Sequence, residues 1–301
     1  MTDDRLPSVS ADGSARLLEI TDEQYHADPC EVPSLSSTIA SIIVKHSPYH
    51  AWVAHPKLNP DHRPTSRQTY DLGTLAHSLL LTDGAGLRVI DMDNWRTNIA
   101  KDRRDVARSE GLTPVLRHQY DEAASMIAAA QQQLSQHDDA ADLLSADTLT
   151  EVPIAWTETT DDGVTHHRAK LDNVLVCDDG SLYVWDYKTT AGTANPHEWV
   201  KRAFDHGCDI QAAYYSRGLS ALTGVSLDRI RFRFVVQERA EPWALSVVAL
   251  DPPAAGVGVA KMEHAIDTWR SCMLSGRWPG YSEHVVEVEA PAWEQRWVGV
   301  S

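Results

Sequence analysis

Between Leu149 and Thr190 the chain changes period, and that change constrains the fold more than any other feature. Three runs, "LTEVPIAWTET", "THHRAKLDNVLVC" and "SLYVWDYKTT", are joined by the turns Asp161-Asp162-Gly163 and Asp178-Asp179-Gly180. β-branched and aromatic residues separated by Asp-Gly steps specify strands joined by tight reversals, so the three runs read as an antiparallel meander. Helical patterns surround it. Ser36 or Ser37 caps a helix in which Ile39, Ile42 and Ile43 recur at helical spacing. "TYDLGTLAHSLLLTDG" reads as an apolar helix ending at Asp83-Gly84, and 113–136 as a helix with Pro114 in its first turn. A long helix is expected over about 195–222, then the strands "DRIRFRFVVQE" and "WALSVVAL", then a helix over about 254–275. The order predicts an α/β fold with a central mixed β-sheet flanked by helices, plus an N-terminal helical addition. The expected division is a flexible N-terminus (1–20), a helical region packed on the core (21–145), the core (146–280) and an acidic, Trp-containing tail (281–301).

The end of the third run carries the chemistry. In "VWDYKTT", Asp186 and Lys188 are two apart and so point to the same side of a strand. The apolar "LYVW" before them marks an inner strand, and charges at the end of such a strand need partners or a metal. Asp172 lies on the preceding strand, across the second turn. Two carboxylates from neighbouring strands make an oxygen site suited to one or two Mg²⁺ or Mn²⁺ ions. Lys188 would orient or help deprotonate an attacking water and offset charge developing on phosphorus.

Charge and cysteine usage narrow the classes. With 27 basic and 43 acidic residues the net charge is −16, which argues against a generally sticky nucleic-acid binder but permits a narrow basic channel in an acidic body. Cys30, Cys177, Cys208 and Cys272 are scattered and form no CxxC pair, so a zinc ribbon or disulfide framework is not expected. No apolar run approaches the ~18 residues that span a bilayer. The first thirty residues are acidic and lack an apolar signal core, so no membrane association and a cytoplasmic location are expected.

Asp172, Asp186 and Lys188, read as D-x(13)-D-x-K, resemble the PD-(D/E)XK nuclease signature, with Leu171 where a proline usually precedes the first acid. "DYKTT" resembles the phage and prophage exonucleases of the RecE type (exodeoxyribonuclease VIII) and the RecB-type nuclease domains. "GTLAHSLL" resembles the family's upstream G-x-x-x-H helix, which makes His77 the counterpart of a metal-holding histidine. "QAAYY" resembles its Q-x-x-x-Y motif, with Gln211 and Tyr215 in those places, and "YHADPCEVPSLSSTIASIIVKHSPYHAW" resembles its N-terminal segment. The resemblance runs over roughly residues 20–250, in the family's order. It implies a restriction-endonuclease-like core and metal-dependent exonuclease activity on the ends of linear double-stranded DNA, running 5′ to 3′. It also implies a ring-shaped homo-oligomer and a single-strand annealing protein as partner in phage-type recombination. A RecB-like nuclease acting on single strands or flaps shares every motif, and a non-catalytic DNA-binding or assembly module of the same fold is the third reading.

Further residues have physical roles on this reading. Gly73 and His77 share a helix face, so the small glycine lets the helix approach the sheet while His77 reaches the metal. Gln211 and Tyr215 also share a face and are candidates to bind a DNA phosphate or steady Lys188, or form an ordinary helix–sheet contact. Glu158 on the first strand is a candidate additional acid, with Glu151 competing for that role. Thr189 and Thr190 are placed to hydrogen-bond phosphate or simply favour β structure. Lys170 and Arg168, at two and four residues before Asp172, are candidates to touch the DNA backbone, or are solvated surface charges. In "WRTNIAKDRRDVAR", Arg96, Lys101, Arg103, Arg104 and Arg108 read as a DNA path with Trp95 to stack on a base, or, given Asp102 and Asp105, as a solvated helix face.

Overall fold

The computed structural model describes residues 6, 13–63, 72–295 and 297. Along the chain come strand β1 (Ala15–Leu17) and helices α1 (Asp22–His26), α2 (Ser37–Lys45), α3 (Pro48–Ala54) and α4 (Leu72–Thr82). Strand β2 (Leu87–Ile90), helix α5 (Asn98–Ser109), strand β3 (Thr113–Leu116) and helix α6 (Arg117–Ser135) follow. The meander is β4 (Leu149–Thr160), β5 (Gly163–Val176) and β6 (Leu182–Thr190). Helices α7 (Pro196–His206) and α8 (Cys208–Thr223) lead to β7 (Ile230–Glu238), β8 (Leu245–Val248), α9 (Pro252–Ser275) and α10 (Ala292–Gln295).

Six strands form one mixed sheet in the order β1-β4-β5-β6-β7-β8. Only β6 and β7 run parallel, and α7 with α8 supplies the long crossover that a parallel pair requires. The sheet is covered on both faces. Leu182 and Val184 of β6 face a core with Ile154 and Trp156 of β4, Tyr214 and Leu219 of α8, and Ile266 and Trp269 of α9. Trp185 and Tyr187, one residue out of step, face Leu75, Ala76 and Leu79 of α4 and Met126 and Ile127 of α6. Strand alternation thus assigns each helix group to one side, and β6 is the inner strand that its apolar run predicts. No helix among the described residues is long and apolar enough to cross a membrane.

Three expectations need correction. The helix expected over 195–222 is two, because Gly207 adopts φ 76° and its N–H bonds back to Ala203 and Phe204. Glycine takes this left-handed conformation without steric cost, so α7 ends there and α8 starts in a new direction. Pro114 sits in strand β3, not in a first helical turn: β2 and β3 pair in parallel as a separate two-stranded sheet, and α6 begins only at Arg117. Within the expected flexible N-terminus, Ala15–Leu17 is a strand paired antiparallel with Trp156–Ile154 of β4.

Candidate active site and metal centre

Strand β5 pairs with β6 only from Asn173↔Trp185 to Val176↔Leu182, whereas β6 continues beside β7 to Thr190. The two strands part just where the charged residues begin. In the resulting gap the Asp172 carboxylate takes the place of a ladder carbonyl and accepts the Tyr187 backbone N–H at 3.0 Å. His77, on α4, reaches the same point, with Nε2 3.1 Å from Asp172 Oδ2 and Nδ1 3.7 Å from Glu151 Oε1. Glu151 has φ 55°, uncommon for a residue with a side chain, and it lies across from Asp172 on β4, between the pairs Thr150↔Asn173 and Val152↔Leu171.

Asp186 and Lys188 complete the cluster from β6. Lys188 Nζ lies 2.5 Å from Asp186 Oδ2, while Gln211 of α8 donates to Asp186 Oδ1 at 2.7 Å. Asp186 is 1% exposed, yet its Oδ2 accepts no hydrogen bond of good direction among the described residues. Burial, and then the neighbouring Asp172, push the Asp186 carboxyl up to about 6 against the pull of Lys188. Asp172 moves the other way: burial opposes its charge, but His77 and Lys188 outweigh burial and hold its pKa below the ordinary value. Burial also works against charging His77, and Asp172 reverses it, so the imidazole pKa is raised. Lys188 is held protonated well above its ordinary value by Asp186 and then Asp172, despite its own burial.

One ligand atom each from His77, Glu151 and Asp172 lie within 4.8 Å of one another, and all three residues are half-buried, so solvent reaches them. An imidazole nitrogen with hard carboxylate oxygens, and a further carboxylate at Asp186 beside them, fits Mg²⁺ or Mn²⁺. His77, Glu151, Asp172 and Asp186 are the residues that would hold such an ion.

Other candidates lie elsewhere or are engaged differently. Glu158 is not at the centre: Arg217 holds both its oxygens, at 2.6 and 2.8 Å, and Trp156 Nε1 donates to it at 3.1 Å. Glu151 is the acid beside the cluster. Its position was readable from the first turn: with Thr160 opposite Gly163, counting back along β4 puts Glu151 opposite Asp172 and Glu158 opposite Thr165. Lys170 is not a free phosphate contact, since it is ion-paired with Glu151 and with Asp22. Arg168 is buried, 3.3 Å from Asp28 Oδ2, and unavailable to a DNA backbone. Tyr215 is buried in the core with Tyr214 and Leu219, and Gln211 binds Asp186 rather than Lys188. Thr189 is half-buried opposite Gln237, and Thr190 is buried with its hydroxyl accepting from Arg202. Lys101, Arg103, Arg104 and Arg108 lie on α5, away from the strands of the cluster, with Ile99 and Val106 exposed among them.

Comparison with known proteins places this geometry. The family model described as "PDDEXK-like domain of unknown function (DUF3799)" matches residues 46–290. No curated protein matches the chain. The crystal structure of a Eubacterium rectale protein described as "Putative exonuclease" is similar over 92% of this chain and 98% of that one, with a TM-score of 0.55 at 11% identity. At that identity the likeness shows a shared fold. The structure of a protein described as SSO0001 is 14% identical over 64% of this chain and 84% of its own, with a TM-score of 0.28. Scheffersomyces stipitis Rai1 is 13% identical over 67% and 58%, with a TM-score of 0.25. Both are too distant in shape to bear on the fold.

Proposed function

The chain belongs to the PDDEXK-like domain family DUF3799, and from that premise we propose that it is a divalent-metal-dependent DNA exonuclease of the RecE-like type, digesting linear double-stranded DNA from 5′ to 3′. The convergence of Asp172, Asp186, Lys188 and His77 on the gap between β5 and β6 carries this reading. The exonuclease description of the similar Eubacterium rectale protein agrees with it. A ring-shaped homo-oligomer with a basic bore would reconcile duplex binding with a net charge of −16, and a single-strand annealing protein is the proposed partner.

The residues divide the work. A bound ion would supply Lewis-acid stabilisation of the charge that builds on the phosphodiester. Lys188 remains an ammonium at neutral pH, because two carboxylates face it, so it serves as a fixed cation and hydrogen-bond donor rather than as a base. Asp186 positions that ammonium, and Gln211 fixes Asp186 by holding its other oxygen. Asp172 is locked by the Tyr187 N–H, so the acid from β5 keeps its place although its ladder has ended.

Linear duplex DNA labelled at either the 5′ or the 3′ end, incubated with and without Mg²⁺, tests the proposal. Loss of the 5′ label as mononucleotide before the 3′ label, only with Mg²⁺ and not on a closed circle, is the expected result. Preferential digestion of single strands or flaps would assign the RecB-like activity instead. Binding without digestion of any of these substrates would make the fold a non-catalytic DNA-binding module.

A further inference from the structure

We infer that Arg202 forms a second phosphate subsite at the carboxyl end of β6, which binds the phosphate next to the scissile one on the strand being cut. The inference rests on the nuclease reading of the Asp186–Lys188 centre. Along β6 the side chains of Asp186, Lys188 and Thr190 alternate to the same side, so Thr190 stands one repeat, about 7 Å, beyond Lys188. Thr190 is buried, and its hydroxyl accepts both the Gly192 N–H at 3.1 Å and Arg202 Nη1 at 3.1 Å. A neutral anchor therefore holds the guanidinium in line with the row that carries the chemistry.

Two features fit this arginine to a phosphate. A Cβ at Gly192 would fall 2.5–2.6 Å from Nη2, Cζ and Nη1 of Arg202, so the guanidinium lies flat against the bare glycine. Arg202 is exposed and has no carboxylate partner among the described residues, a lack it shares with Arg96, Arg103, Arg108, Arg231 and the half-buried Arg233, but of these it is the one anchored on Thr190 at the end of β6. One of its five N–H donors goes to Thr190 and four remain, in the planar fork that matches two phosphate oxygens. A charge left without a counter-ion in a chain of net −16, beside a lysine already committed to Asp186, is suited to a diester phosphate.

Fluorescence anisotropy of the full chain with a labelled linear duplex in EDTA, between 50 and 250 mM salt, provides the test. Arg202→Gln is expected to weaken binding about tenfold at low salt and to lower the log–log salt slope by about one, the signature of one lost phosphate contact. Gly192→Ala keeps the charge but displaces the guanidinium, and is expected to lose part of the affinity with an unchanged thermal midpoint. In Mg²⁺, Arg202→Gln should raise KM while kcat holds. Unchanged affinity and slope in Arg202→Gln, or no duplex binding by the wild-type chain, overturns the subsite. Arg202-dependent binding without any cleavage would sink the nuclease reading and leave Arg202 as a DNA-phosphate contact only. Cleavage indifferent to Arg202 does the reverse.

Discussion

Strand β5 carries two carboxylate–histidine–cation clusters whose strand residues are four apart, one around Arg168 and one around Asp172, and they are built to opposite specifications. At the first, Asp28 Oδ1 accepts from Ser34 Oγ at 2.7 Å and Cys30 N at 3.2 Å, and Oδ2 accepts from Ser34 N at 2.8 Å. His55 and Arg168 each lie 3.3 Å from Oδ2, with Asp28 and His55 wholly buried. Serine, histidine and aspartate are the residue types of a hydrolytic triad, yet nothing can reach them. At the second, His77, Glu151 and Asp172 are half-buried and open to solvent, beside the Asp186–Lys188 pair. Both clusters contain the groups that chemistry uses. What separates them is access: a carboxylate enclosed by donors from the chain holds structure, and one that solvent reaches is available to a cation.

That contrast can be broken at either cluster. The largest effect is expected at the open one: Asp186→Ala or Lys188→Ala should cut Mg²⁺-dependent digestion at least about a thousandfold, roughly 4 kcal/mol, with an unchanged circular dichroism spectrum. Retained activity would remove the distinction. At the closed cluster the loss should appear in stability: Asp28→Ala leaves Arg168 buried without its counter-charge and should cost about 3 kcal/mol or more in urea unfolding, with kcat preserved in the folded fraction. Acid should act on the same closed region. Burial, against the pull of Glu158, holds the His167 pKa at about 4, so the unfolded chain takes up that proton first. The contribution is complete above the ordinary histidine pKa and is lost as pH falls from about 6.5 to about 4, roughly 3 kcal/mol in all. Urea midpoints that stay flat across that window would contradict it.

Smaller effects sharpen the contrast. Mn²⁺ at ten times its Kd should stabilise the chain by about 1.4 kcal/mol and raise Tm by about 3 °C, and Asp172→Ala should abolish the rise while Asp28 variants keep it. Glu151→Gln should weaken that shift, whereas Glu158→Gln should leave it unchanged, because Glu158 is engaged with Arg217 on the far part of β4. Equal responses in the two variants would show that the register of β4 does not select the acid.

The fold was legible because its signals are local. The β4–β5–β6 meander follows from turn chemistry and period, and the inner position of β6 from "LYVW". The break at Gly207 was missed although a glycine stood there, because one glycine inside a helical pattern is often tolerated. For the site, Asp172, Asp186, Lys188 and His77 could be named from motif spacing, and Glu151 could have been chosen over Glu158 by carrying the hairpin register back from its turn. Arg168 and Lys170 were misread because a charged residue on a strand carries no mark of who will face it. Asp28 and His55 come from segments more than a hundred residues upstream of Arg168.

Sequence alone determined the elements, the order of the sheet's central hairpins and the residue types that converge at the end of β6. Those depend on interactions within a few residues, or across one turn, where spacing fixes geometry. Tertiary structure decided which of those charges are spent on the chain itself and which are left over. That division depends on how far β5 and β6 separate, on the reach of α4 into the gap and on what packs behind each carboxylate, all of them contacts between segments distant in the chain.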